Sequence, residues 1–240
     1  MSSAGQVALV LGVLFLTTFT RSAFGFGDAL LAMPLLTLII GIQTATPLVA
    51  LVATTISLAI LVESWRSVDL KASWRLVLSS ILGIPLGLWL LRAAPESIVK
   101  AALGVLLIGF GLYQLIRPRF PALQQQWPAY LFGLVAGVLG GAYNTNGPPV
   151  IIYGTLRRWS PERFRATLQS YFFPTGLFIL AGHGLGGLWT PSILRLYLYS
   201  LPVLLLAVLV GSKVNRIIPG EQFHRAVYAF LIVVGVFLFI

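Results

Sequence analysis

Apolar residues run through this chain in long blocks, broken by short clusters of charge, glycine and proline. The blocks fall at 5–23, 27–42, 45–63, 74–92, 98–116, 128–143, 147–157, 164–183, 193–212 and 223–240, and each is predicted as a helix. Most approach the roughly 20 apolar residues that a bilayer-crossing helix needs. The adjacent pair 128–143 and 147–157 falls short. At 1.5 Å per residue, 128–143 is about 24 Å long and 147–157 about 16 Å, against a hydrocarbon core of about 30 Å. Those two cannot both span, so the pair is predicted to dip into the membrane and return.

The glycines and prolines repeat this layout in two halves. An offset of 119 places Phe24-Gly25-Phe26-Gly27-Asp28-Ala29 over Tyr143-Asn144-Thr145-Asn146-Gly147-Pro148. Gly87 and Arg92 fall over Gly211 and Arg216 at 124, and Glu96 and Lys100 over Glu221 and Arg225 at 125. A loop insertion of five or six residues accounts for the drift. The division predicted is a first repeat at 1–117, a linker at 118–127 on the cytoplasmic side, and a second repeat at 128–240. Together they form one transport domain. Each repeat reads as a broken re-entrant hairpin followed by three transmembrane helices. The fold class is therefore an all-α integral membrane protein of two inverted repeats, because three crossings reverse the chain.

Charge orients that layout. One face receives Arg66, Lys71, Arg75, Arg117, Arg119, Arg157, Arg158, Arg163, Arg165, Lys213, Arg216 and Arg225, twelve in all, and the other only Arg92, Lys100 and Arg195. Lys and Arg collect in cytoplasmic loops, so both termini are expected outside a cell membrane that the chain crosses many times. Full-length hairpin arms would give the same loop parity; the shortness of 147–157 is what argues for a tip at mid-membrane. Trp65, Trp74, Trp127, Trp159 and Trp189 fall at segment ends, as an interfacial aromatic belt predicts.

Composition closes other routes. The 240 residues are 58% hydrophobic and 9% charged, with a mean hydropathy of +0.94, whereas a soluble domain carries about a quarter charged residues. No soluble catalytic or nucleic-acid-binding domain fits in what remains. The net charge of +10 is then topological rather than a nucleic-acid signal. No cysteine means no disulfide, thiolate metal site or thiol relay. Two histidines outside any His-Glu-x-x-His pattern leave zinc unsupported, and no cofactor is expected. No basic residue precedes Arg21, so the first apolar block is expected to stay in the mature protein rather than act as a signal.

The candidate chemistry lies at the two hairpin tips. Backbone that leaves a helix at membrane depth is tolerated only where protein or a water-filled cavity satisfies it. In transporters built from inverted repeats, substrate sits near the midplane where broken helices aim positive dipole ends at anionic groups. The second tip offers Tyr143, Asn144, Thr145, Asn146 and Gly147, followed by Pro148, which suits the first turn of a new helix. Asn144 and Asn146 either cap that helix or offer amides to a ligand. The plainer reading is that these groups only satisfy the break. The first tip offers Arg21, Ser22, Gly25, Gly27 and Asp28. Arg21 and Asp28 either pair with each other or act separately, Arg21 on an oxyanion and Asp28 on a proton. Behind the tips, Gln169, Ser170 and Tyr171 lie in 164–183, with Thr54, Thr55 and Ser57 in the corresponding stretch of 45–63. Gln169 serves equally as a substrate ligand or a helix–helix hydrogen bond. His183 and His224 are expected as solvated surface residues.

Gly-Gly-Ala-Tyr-Asn-Thr-Asn-Gly-Pro-Pro at 140–149, its degenerate counterpart at 25–36 and the two-half layout resemble the TauE/SafE sulfite exporter family along essentially the whole chain. The resemblance implies a bacterial or plant transporter of sulfite or small organosulfonates such as sulfoacetate or sulfolactate, moved outward in bacteria. It places the family's tips on Gly25, Gly27 and Pro34, and on Asn144, Thr145, Asn146, Gly147 and Pro148. Arg21 and Asp28 match no part of that pattern and rest on physics alone. The expected function is thus a secondary exporter holding a small sulfur oxyanion between two hairpin tips, with the lipid bilayer as its surroundings and a homo-oligomer compatible with the chain. Competing readings are transport of another small anion, a proton-coupled cation antiporter built on Asp28, and a non-transporting membrane subunit. An intramembrane enzyme lacks any nucleophile elbow or metal cluster in the sequence.

Overall fold

The computed structural model describes residues 4–24, 27–64, 70–116, 121–215 and 221–239. Gly25, Trp65, Arg66, Arg117, Arg119 and Arg216 lie outside them, as do the side chains of Lys71, Arg165, His224 and Arg225. Ten helices form among the described residues, one for each apolar block: α1 (Ala4–Phe24), α2 (Asp28–Ile40), α3 (Ile42–Ser64), α4 (Leu70–Ala93), α5 (Glu96–Ile116), α6 (Pro128–Tyr143), α7 (Gly147–Leu156), α8 (Pro161–Leu185), α9 (Pro191–Asn215) and α10 (Glu221–Phe237). Five are long and apolar enough to cross a membrane, namely α1, α3, α4, α5 and α9. Exposed leucine, valine and phenylalanine cover their outer faces, which suits lipid rather than water. The protein is an all-helical integral membrane protein.

α2 has 13 residues and α7 has 10, giving about 20 and 15 Å of rise, well short of a hydrocarbon core. α1, at 21 residues, is long enough to cross. Within the first hairpin, the Gln6 side chain near the start of α1 donates to the Ile39 carbonyl near the end of α2 at 2.8 Å. The two helices therefore run antiparallel from a tip at 24–28.

The helices gather into two compact units, each drawn from both halves of the sequence. One contains α1, α2, the first residues of α3, α5, α9 and α10; the other contains the rest of α3 with α4, α6, α7 and α8. In the second unit α6 carries Gly133, Gly137 and Gly141 at four-residue spacing, all facing α4. α4 answers with Ser79, Ser80, Gly83 and Gly87. With lipid tails as apolar as leucine, close approach of backbones is what holds membrane helices together, and small residues at this spacing allow it. A Cβ on Gly87 would meet the Val138 carbonyl and lie 2.7 Å from the Ala142 nitrogen.

In the first unit α9 packs on α1 in the same register. A Cβ on Gly211 would lie 2.8 Å from the Phe19 carbonyl and 3.2 Å from the Ala23 nitrogen. Phe19 and Ala23 precede Val138 and Ala142 by 119 residues, and Gly87 precedes Gly211 by 124. These are the offsets of the sequence overlay.

Candidate functional site

At the first tip Gly27 holds φ 102°, a conformation open to glycine and strained for other residues. The turn lets Arg21, in the last turn of α1, reach Asp28, the first residue of α2, with Nη1 to Oδ2 at 2.6 Å. Both residues are buried, at 2% and 7% exposure. Each charge also faces the helix end that suits it, the cation at the negative C-terminus of α1 and the carboxylate at the positive N-terminus of α2. The pairing reading of these two residues is therefore what the structure displays. The hydroxyls of Thr18 and Ser22 in the last turns of α1, and of Thr37 towards the far end of α2, are buried without a hydrogen-bond partner among the described residues.

At the second tip α6 ends on Asn144, whose φ of 54° and ψ of 22° are left-handed. Asparagine tolerates this region better than most side chains, which gives Asn144 a conformational reason to be there. Its N–H donates to the Gly140 carbonyl at 2.8 Å, and the Thr145 N–H to the Leu139 carbonyl at 3.3 Å. α7 then starts at Gly147, with Pro148 and Pro149 in its first turn. Neither Asn144 nor Asn146 caps it through a side chain, contrary to one sequence expectation. Asn146 is itself in helical conformation, at φ −74° and ψ −7°, and its amide points elsewhere.

That amide joins a buried network. Asn146 Nδ2 donates to Thr175 Oγ1 at 3.3 Å, and Thr175 donates to the Tyr171 carbonyl at 2.7 Å. The Ser80 hydroxyl donates to the Gly133 carbonyl at 2.6 Å. Its single proton is thereby used, so in the 2.7 Å bond between Ser80 and Tyr171 the tyrosine donates. The chain of bonds ties the start of α7 to α8, α4 and α6. Lower down, Ser170 bonds Ser73 at 3.0 Å. Tyr171 as a hub was missed by the sequence reading, which had no way to bring Ser80, 91 residues earlier, against it. Tyr171→Phe is expected to lower stability by about 1 kcal/mol, since interhelical hydrogen bonds in membrane proteins average about 0.6 and reach about 1.7. Thermal unfolding in detergent measures it.

Other candidates resolve more plainly. Gln169 is fully buried in α8 and engaged with its surroundings. Thr54, Thr55 and Ser57 donate to the carbonyls four residues back in α3, at 2.8, 2.9 and 2.9 Å, which is a structural use of their protons. His183 is a correction: it is fully buried rather than solvated. α8 continues past it to Leu185, and the chain folds back so that the Leu188 N–H bonds the His183 carbonyl at 2.9 Å. By contrast, two hydroxyls at the second tip, those of Tyr143 and Thr145, are buried with no hydrogen-bond partner among the described residues. Tyr143 is 1% exposed and Thr145 is 1% exposed. No group of three or more metal-ligating side chains occurs among the described residues.

Apolar helices, short ones among them that end at polar breaks, with buried hydroxyls left unmatched beside both breaks, are the pattern of a membrane transport protein. The family is sulfite exporter TauE/SafE: its model matches residues 10–238, and the chain belongs to it. A curated relative, a probable sulfite/organosulfonate exporter from Cupriavidus necator, is 24% identical over 232 residues, covering 91% of this chain and 88% of its own. No solved structure matches the chain. The family and this relative are exporters and not enzymes. The chain is thus a multi-pass membrane transporter.

Proposed function

We propose that this transporter exports a small sulfur oxyanion, sulfite or an organosulfonate such as sulfoacetate or sulfolactate, and that the polar break between α6 and α7 binds it. The relative's description and the family support the substrate class. The observation that carries the site is the pair of unmatched hydroxyls on Tyr143 and Thr145. A buried donor without a partner costs about 1–3 kcal/mol, so native structures rarely keep one unless water or a ligand meets it. The buried hydroxyls of Ser80, Tyr171 and Thr175, by contrast, all have protein partners. Sulfonate oxygens accept from such hydroxyls and from the Asn144 amide. Pro148 and Pro149 strip two N–H groups from the start of α7, leaving the amides of Asn146 and Gly147 as its donors. That is a weaker grip than a phosphate-binding loop offers, and a carrier must release what it binds.

At the first tip, Arg21 would meet an anion through guanidinium nitrogens other than the one on Asp28, with Gly27 shaping the turn and Asp28 fixing the guanidinium. The ion pair counts against a cation antiporter built on Asp28, because the carboxylate already holds the Arg21 guanidinium at 2.6 Å. The remaining reading follows the sequence: two inverted repeats at 1–117 and 128–240, joined by 118–127, with both termini outside the cell membrane. The matching registers of Gly87 of α4 against α6 and of Gly211 of α9 against α1 support the duplication.

The test is sulfite and sulfoacetate flux in liposomes containing wild type, Tyr143→Phe or Thr145→Val. Each variant removes one hydrogen bond to a charged ligand, about 1.5–3 kcal/mol, so KM should rise by roughly 10-fold or more. Melting temperature should hold or increase, since neither hydroxyl supports the fold. Unchanged KM in both variants removes the second tip from the site. Wild-type flux of amines or cations, with none of sulfonates, rejects the substrate class.

A further inference from the structure

The second unit carries a cleft of about 280 Å³ that the transport reading leaves unused. It lies at the end of α7 away from the tip, between the start of α4 and the start of α8. Arg75, Arg157 and Arg163 line it together with Trp74, Tyr153 and Trp159, with no carboxylate among the described lining residues. From this arrangement we propose that the cleft binds the phosphate of an anionic phospholipid headgroup.

Two of the guanidinium groups are held in place. Arg157 Nη1 donates to the carbonyls of Leu123 and Gln124, each at 2.8 Å, so its position is set by neutral acceptors, and no described carboxylate pairs with it. Arg75 lies over the Trp74 ring, 4.5 Å from its centre. Tyr153 and Trp159 meet edge to face at 5.6 Å and form an apolar wall. α8 begins beside them at Pro161, with Ser160 as its cap, and its positive end adds to the field. Planar guanidinium forks bind phosphate oxygens in pairs, which a single ammonium does not.

Two features favour a lipid over a soluble anion. Tryptophan and tyrosine beside arginine are the side chains that settle at the headgroup level of a bilayer. From Trp74, the exposed residues Leu78, Leu82 and Leu86 follow at four-residue spacing along one face of α4. That apolar stripe starts at the cleft, where the acyl chains of a bound lipid would run.

The experiment measures thermal unfolding in phosphatidylcholine bilayers, with and without phosphatidylglycerol, and in phosphatidylcholine with inorganic phosphate or sulfite in solution. Wild type should gain several degrees from phosphatidylglycerol and nothing from the soluble anions. Arg75→Gln with Arg163→Gln should lose that gain while melting like wild type in phosphatidylcholine alone. If the double variant already melts lower in phosphatidylcholine, Arg163→Gln carries the comparison, because this side chain is exposed. An equal phosphatidylglycerol gain in the variants, or a wild-type gain reproduced by soluble phosphate or sulfite, overturns the proposal.

Discussion

Asp28→Ala is expected to destabilise the protein by about 3–5 kcal/mol, because it leaves the Arg21 guanidinium buried without the carboxylate it bonds at 2.6 Å. Arg21→Met should cost a similar amount by stranding the carboxylate, and an unpaired charge inside a bilayer is itself unfavourable by roughly 2.5–3.5 kcal/mol. Combining Arg21→Met with Asp28→Leu removes both charges, and buried pairs replaced by apolar residues often lose nothing. The double variant should therefore recover most of the wild-type stability in a detergent melt. Flux separates structure from transport. If Arg21 meets the anion, the refolded double variant stays inactive towards sulfite; if it transports normally, the pair only holds the hairpin closed and Arg21 leaves the site.

The other large effect is expected at the contact between α4 and α6. Gly87→Val should prevent recovery of folded protein, because its Cβ would run into the Val138 carbonyl and sit 2.7 Å from the Ala142 nitrogen. Both atoms are backbone, so no side chain can swing aside and the two helices must separate along their length. Overpacking costs about 1–3 kcal/mol where a core can adjust, and more is expected where it cannot. Gly109→Ala is the control. Nothing lies within 4 Å of a Cβ there, and alanine favours a helix by about 0.8–1 kcal/mol over glycine. A monodisperse, wild-type-like melt for Gly87→Val would show that α4 and α6 pack less closely than described.

Elements and chemistry were legible in the sequence to different depths. All ten helices sit on the apolar blocks, and α6 coincides with 128–143 at both ends. Charge and turn residues end helices locally, so this information stays within a few positions of the boundary. The tips were legible for the same reason: Asn144 and Gly27 mark left-handed turns, which few other residues accommodate. Gln169 and Tyr171 could be named as polar residues on an apolar helix, but not given partners. Their roles depend on which face of α8 meets α4, and hydropathy says little about that when lipid and protein interior are equally apolar.

His183 shows the same limit. A histidine near the end of an apolar block reads as surface, yet the turn after α8 brings Leu188 back over it. Local pattern along the chain is enough to say what must be buried in lipid, where helices stop, and where polar groups interrupt them, since all three follow from transfer free energies and backbone sterics acting over one or two turns. Folding in three dimensions was needed to show that α4 pairs with α6 and α9 with α1, that Arg21 Nη1 bonds Asp28, and that the Tyr143 and Thr145 hydroxyls lack partners among the described residues. Those outcomes depend on backbone-to-backbone fit and on hydrogen bonds between residues far apart in the chain, which no local pattern encodes.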